Sequence, residues 1–206
     1  MDQANTVPFE DTSQPFFARL FRTITMAFAE PMKLFSGMPR GDIGLPLLYG
    51  VITGTITGVI SIFWHMSFSG MALLTRHMHV EEFAVSTGIY ILVMFLMPLM
   101  VAIGIFISCA INHVCLLILG DGQHGFVTTF RAIAYGNTPA LLCIIPFCGG
   151  FVGGIWALVL VIIGFKLGHD TDWWRAILAY FLPTIICCCL ILWLLTTFGF
   201  IGALAR

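Results

Sequence analysis

Charge is what this chain has least of. Of its 206 residues, 9 are Lys or Arg and 10 are Asp or Glu, whereas a water-soluble domain is about one-quarter charged. So few charges cannot cover a solvent-facing surface, so lipid is the expected solvent for most of the chain. The net charge of −1 and the lack of a basic patch argue against a nucleic-acid partner. Catalytic signatures are missing as well: there is no nucleophile elbow, phosphate loop or His-Glu-x-x-His helix. The expectation is a protein that is not an enzyme and has no cofactor. The opening residues, MDQANTVPFEDTSQP, are acidic and polar, unlike the basic start of a secretory leader, so no cleaved signal is expected.

A disulfide framework is also lacking. All seven cysteines (Cys109, Cys115, Cys143, Cys148, Cys187, Cys188, Cys189) lie in or beside apolar runs, where cysteine acts as a small hydrophobe. A Cys143/Cys148 pair or a metal on Cys187 to Cys189 is the alternative. Helical neighbours project about 100° apart, which makes the latter a poor chelate.

What the chain has in abundance is apolar sequence, 59% of residues with mean hydropathy +1.01. A bilayer core about 30 Å thick takes roughly 20 helical residues to cross. The predicted spans are about 45–66, 83–119 (kinked near Pro98), 126–146, 151–167 and 174–201. The second is long for one crossing, and its first part, Phe83–Met97, is a candidate interfacial segment. Thr171 is a candidate N-cap for the last span. The fold class expected is an all-α integral membrane protein, a bundle of about five transmembrane helices. Residues 1–44 form a cytosolic N-terminal segment, with residues 1–14 disordered. Residues 15–29 mix bulky apolars with Arg19 and Arg22, which suits an interfacial amphipathic helix or a helix packed on the protein's own cytosolic face. With the N-terminus inside, Arg19, Arg22, Lys33, Arg40, Arg131, Lys166 and Arg175 are cytoplasmic, and Arg76 and Arg206 are outside, as the positive-inside rule requires.

Several groups are candidates for function. Gly50, Gly54 and Gly58, and likewise Gly150 and Gly154, recur at four-residue spacing and leave bare helix faces for close packing, within the bundle or against a second copy. Arg131-Ala132-Ile133…Pro139 is echoed by Arg175-Ala176-Ile177…Pro183; matched breaks in two like-oriented helices can mark a transport site. Tyr135, Asn137, Thr138 and Pro139, with Tyr180, Pro183 and Thr184, form a candidate polar pocket, or else a cluster that only ties helices together. His65, His77, His79, Glu81 and Glu82 form a candidate metal set on the outer side. His113, Asp121, His124, His169, Asp170 and Asp172 gather at the cytosolic ends, as solvated loop groups or as a second candidate metal set.

The run Phe130-Arg131-Ala132-Ile133-Ala134-Tyr135-Gly136-Asn137-Thr138-Pro139, followed by Ile145-Pro146, Gly149-Gly150, Trp156, Gly164 and the turn at residues 168–171, resembles the Yip family of Ypt-interacting, five-span membrane proteins. Pro31, Phe35, Met38-Pro39 and Pro46-Leu47 resemble the lead-in of its bacterial members. The resemblance covers about residues 30–200. It implies five spans, a cytosolic N-terminus and no catalytic residues. Eukaryotic relatives bind prenylated Rab-type GTPases and each other in endoplasmic reticulum and Golgi membranes. The acidic-aromatic DLYGP-type motif of those relatives is missing here, which points to a bacterial member, in the inner membrane with its C-terminus outside. The function implied is organisation of membrane or recruitment of protein partners at the cytosolic face, with homo-oligomer formation. The alternative is a conduit for a small solute, ion or lipid through proline-broken spans three and five.

Overall fold

The computed structural model describes residues 7–36, 41–75 and 80–204. Its elements are a 3-10 turn at Pro8–Glu10, α1 (Phe16–Ala29), α2 (Pro31–Phe35), α3 (Gly44–Leu74), α4 (Val80–Ile118), α5 (Phe126–Gly136), a 3-10 segment at Thr138–Ile144, α6 (Gly149–Gly168) and α7 (Trp173–Leu204). The described residues contain no strand. Four helices are long and apolar enough to cross a membrane: α3, α4, α6 and α7, the last over Trp173–Ile191.

α5 lies at the centre. Every residue from Thr128 to Gly136 is buried. One apolar cluster joins it to α4, α6 and α7 through Ile105, Cys109, Phe130, Val161, Phe165 and Ala176. A second joins it to the N-terminal elements through Phe9, Leu34, Phe35, Tyr49, Tyr135 and Leu160. α5 stops at Gly136 because Pro139 has no N–H to continue the ladder. The chain tightens into the 3-10 segment instead. The loop before α5 turns on Gly125 (φ 82°), a left-handed conformation that glycine adopts without strain.

The glycine spacing is used inside the molecule on α3. A Cβ added at Gly50, Gly54 or Gly58 would lie 2.7 Å from Ile105 Cδ1, 2.6 Å from Val101 Cγ1 or 2.6 Å from Met97 Sδ. The ridge Met97–Val101–Ile105 of α4 thus descends the groove of α3 in antiparallel steps of one turn. On α6 the expected pair is corrected. Gly150 and Gly154 face open space, whereas Gly149 and Gly153 back onto the carbonyls of Leu142 and Pro139. Each glycine doublet offers two directions about 100° apart, and only one of each meets the 3-10 segment.

Three further expectations are corrected. α7 runs unbroken through Pro183, so of the two spans expected to be proline-broken only the third is. A single proline removes one backbone hydrogen bond, and the flanking turns of a long helix hold across it. α4 is the one long helix expected, and its first part is continuous with the rest through Pro98. Thr171 does not cap α7, since its hydroxyl donates to Asp121 Oδ2. The amides of Arg175 and Ala176 go to the Asp172 carbonyl instead. Residues 7–14 are ordered, with Val7 and Phe9 buried. Their apolar triplet Val7-Pro8-Phe9 has a socket to fill.

Candidate functional site: a buried ion pair and a histidine cluster

α1 lays Leu20, Thr23 and Ala27 on the bundle and leaves Phe17 and Phe21 exposed. Trp156 Nε1 donates to the Ala27 carbonyl at 3.3 Å, which fixes α1 against α6. Arg19 turns back onto the residues before the helix. Its Nη1 donates to the Phe9 carbonyl at 3.0 Å, and its guanidinium carbon lies 5.4 Å from the Phe9 ring centre. Phe9 is fully buried and meets Tyr49 edge-on at 5.1 Å between centroids.

This strap delivers Glu10 into the bundle. Arg131 Nη2 donates to Glu10 Oε2 at 2.8 Å, and the Tyr135 hydroxyl donates to Oε1 at 2.8 Å. Arg131 and Tyr135 lie on one face of α5, four residues apart. The Arg131 side chain is 3% exposed and that of Glu10 is 9% exposed. Burial pushes the Glu10 carboxyl above its ordinary range, against the pull of Arg131 and Tyr135. A second relay runs alongside. Thr138 Oγ1 donates to the Tyr135 carbonyl at 2.6 Å, which uses its only proton, so Tyr49 Oη donates to Thr138 Oγ1 at 2.8 Å. The Tyr135 carbonyl at the break before Pro139 is satisfied in this way.

The seven residues of the expected polar pocket are not gathered together. Tyr135, Thr138 and Pro139 are buried beside the strap and α6. Asn137 donates to the Ile133 carbonyl at 3.0 Å and faces a crevice of about 200 Å³ between α3 and α4, lined also by Thr53, Thr57, Val101 and Ala140. Tyr180 packs against the other apolar cluster. Pro183 and Thr184 follow it on α7, where Thr184 is exposed.

Of the outer metal candidates, His77 and His79 lie outside the described residues. His65 stacks on Tyr90 at 6.3 Å between centroids, and Glu81 and Glu82 are exposed in the first turn of α4. Among the described residues no group of three or more His, Cys, Asp or Glu is placed to hold a metal ion. All seven cysteines are free thiols.

At the other end of the bundle the histidines converge on Thr129. Its hydroxyl lies 2.9 Å from His113 Nδ1 and 2.9 Å from His169 Nε2. One hydroxyl donates once, so with both rings neutral at least one of them presents N–H to it. His124 stands 6.2 Å from His169 between ring centroids and 3.8 Å from Asp170 Oδ2. Asp121 accepts from Thr171 and, at 3.3 Å, from Arg175 Nη1. Burial, reinforced by His113 and His124, pulls His169 down to about 4 from 6.5, with Asp121 and Asp170 opposing.

The sign of the pH effect follows. A proton binds the opened joint before the closed one, so the stabilisation is complete above pH 6.5 and is lost as pH falls toward 4. The loss amounts to about 3 kcal/mol at most. The protection factors of amides at residues 119–125 and 169–172, corrected for intrinsic exchange, are expected to fall across that window in the wild type and to fall less in His169→Gln.

Neither Glu10 nor Thr129 was among the residues singled out from sequence. Glu10 sits beside Asp11 in an acidic, polar stretch that marks neither of them, and its partner is 121 residues away. The apolar Val7-Pro8-Phe9 ahead of it was the available signal.

Long apolar helices around one buried, half-length helix define a polytopic membrane protein. The family model of the Yip1 domain matches residues 26–195, and the chain belongs to that family. No curated protein and no solved structure matches it.

Proposed function

We propose that the protein is a non-enzymatic organiser of the bacterial inner membrane that works by self-association and by recruiting protein partners at its cytosolic face. The observation that carries this reading is α4. Its 39 residues rise about 58 Å, nearly twice a bilayer core, and the helix is apolar nearly all round. Val85, Ile89, Leu92, Leu96, Leu99 and Ile103 are all exposed. Their alternating four- and three-residue spacing is that of a helix–helix seam, on the side opposite the ridge that packs on α3. Where that seam clears the lipid, a second copy is the surface that covers it.

A fifth crossing belongs to the same reading. The 11 residues of α5 and 7 of the 3-10 segment together rise about 30 Å, because a 3-10 turn climbs faster per residue than an α-turn. That length matches the hydrocarbon core. With the N-terminus cytoplasmic, α1 lies in the interface, its Phe17 and Phe21 in the acyl boundary.

One observation favours a second reading, a conduit for lipid or a small solute. Asn137, a costly group at membrane depth, lines the crevice between α3 and α4. A single experiment separates the two. Labelled protein in liposomes is counted by single-molecule photobleaching, and the same liposomes, carrying a fluorescent lipid, receive dithionite. Multiple bleaching steps that revert to single steps in Leu92→Ala/Leu96→Ala, with quenching stopped at the outer leaflet, support the organiser. Single steps at every density remove it. Quenching of both leaflets that Asn137→Leu abolishes supports the conduit.

A further inference from the structure

We infer that Arg131 and Tyr135 form a phosphate-binding socket, and that the chain's own Glu10 occupies it as a displaceable stand-in. Three observations lead there. First, Glu10 satisfies the guanidinium poorly. Both carboxylate oxygens are committed, one to Arg131 Nη2 and one to the Tyr135 hydroxyl. A carbonyl, that of Asp42, lies 3.5 Å from the same Nη2. Arg131 Nη1 and Nε are buried with no acceptor among the described residues. A buried donor left unpaired costs about 1–3 kcal/mol, so an anion with more oxygens holds this site better than Glu10 does.

Second, phosphate has the oxygens that a carboxylate lacks. One can accept from the Tyr135 hydroxyl while two more take Nη2 and one of the open groups, Nη1 or Nε, along one edge of the planar fork, the bidentate geometry that arginine offers phosphate. Third, occupant and socket lie on different parts of the chain. Arg131 and Tyr135 lie within the Yip1 domain match at residues 26–195, and Glu10 lies outside it. The domain therefore holds a buried cation whose counter-charge comes from a separate strap. When that strap lifts, Phe9 and Glu10 vacate the space beside Arg131, and a phosphate group can enter from a lipid headgroup or from solution.

The test uses full-length protein in nanodiscs of zwitterionic lipid. One series is titrated with inorganic phosphate, and the other is doped with phosphatidic acid. Thermal midpoint and calorimetric affinity are read for the wild type, Glu10→Ala and Glu10→Gln. The last keeps the shape and an acceptor for Tyr135 but not the charge, and so guards against a misfolded alanine variant. Both variants are expected to bind at least tenfold more tightly than the wild type. Adding Arg131→Lys, which keeps charge without the fork, is expected to reverse most of that gain, and Arg131→Leu all of it. Binding in both series assigns the site to free phosphate, and binding in the doped series alone assigns it to the headgroup. Variants that bind no tighter than the wild type in either series, or binding indifferent to Arg131, would overturn the socket.

Discussion

Glu10→Ala is expected to undock the strap while leaving the bundle folded. A buried pair broken from one side leaves an uncompensated charge, at a cost of about 3–5 kcal/mol. Arg131 is 3% exposed, so it bears that cost in full unless water reaches it. The cheapest relief is for residues 7–15 to lift away, taking Phe9 out of its contact with Tyr49 and Arg19 off the Phe9 carbonyl. Amide exchange at residues 9–15 should accelerate by roughly two to four orders of magnitude, the fold-change equivalent of that energy. Exchange in α6 should be unchanged. The counter-experiment replaces both partners. Glu10→Gln/Arg131→Met removes both charges and keeps the volume and an acceptor for the Tyr135 hydroxyl, so the strap should dock again with stability within about 1–2 kcal/mol of wild type or better. If the double variant exchanges as fast as the single one, the ion pair is not what holds the strap.

The second large effect is expected on α6, where neighbouring glycines differ. Gly153→Val should destroy the fold, and Gly154→Val should not. A Cβ at Gly153 runs into the Pro139 carbonyl, and one at Gly149 into that of Leu142. These are backbone atoms of the 3-10 segment and cannot rotate aside as a side chain can. Overpacking typically costs about 1–3 kcal/mol where side chains can shift, and the cost here lies at or above the top of that range. Gly154 has no heavy atom within reach of its Cβ, so its substitution should stay within about 0.5 kcal/mol. Thermal unfolding and the monodisperse fraction in detergent, compared across the four substitutions at 149, 150, 153 and 154, should fall into two pairs. Equal losses at 153 and 154 would mean that α6 is rotated from the orientation described.

How much of this was legible beforehand varies by element. The apolar runs marked where the long helices lie, because length and composition alone decide whether a helix suits lipid. The glycine spacing on α3 specified a close approach. Its partner is on the chain too, as Met97, Val101 and Ile105 at matching steps, but α4 is apolar nearly all round and its inward ridge carries no distinguishing mark. On α6 the doublets Gly149-Gly150 and Gly153-Gly154 encode two phases equally well, and only the 3-10 segment selects one. The proline pattern misled for a related reason. Pro139 follows Gly136 and sits where a helix can end, while Pro183 is carried by a long helix on either side. The polar centres were the least legible. Asp121, His124 and His169 stood out by residue type, yet Thr129, which joins two of the rings, looks like any other helix threonine. Glu10 stands beside Asp11 in an acidic opening stretch, and nothing local reveals which of the two meets a counter-charge 121 positions later.

That separation also sets an order of events during synthesis. The strap leaves the ribosome before α5 does, and Arg131 emerges 121 residues after Glu10. At about 5–20 residues per second, the wait is roughly 6–24 s. During that interval Phe9 and Glu10 have no socket, while α3 and α4 can already pair along their glycine ridge. A segment made before the bundle thus docks only after α5 is in place. A chain stalled before α5 would present it unprotected to whatever surveys newly made membrane proteins.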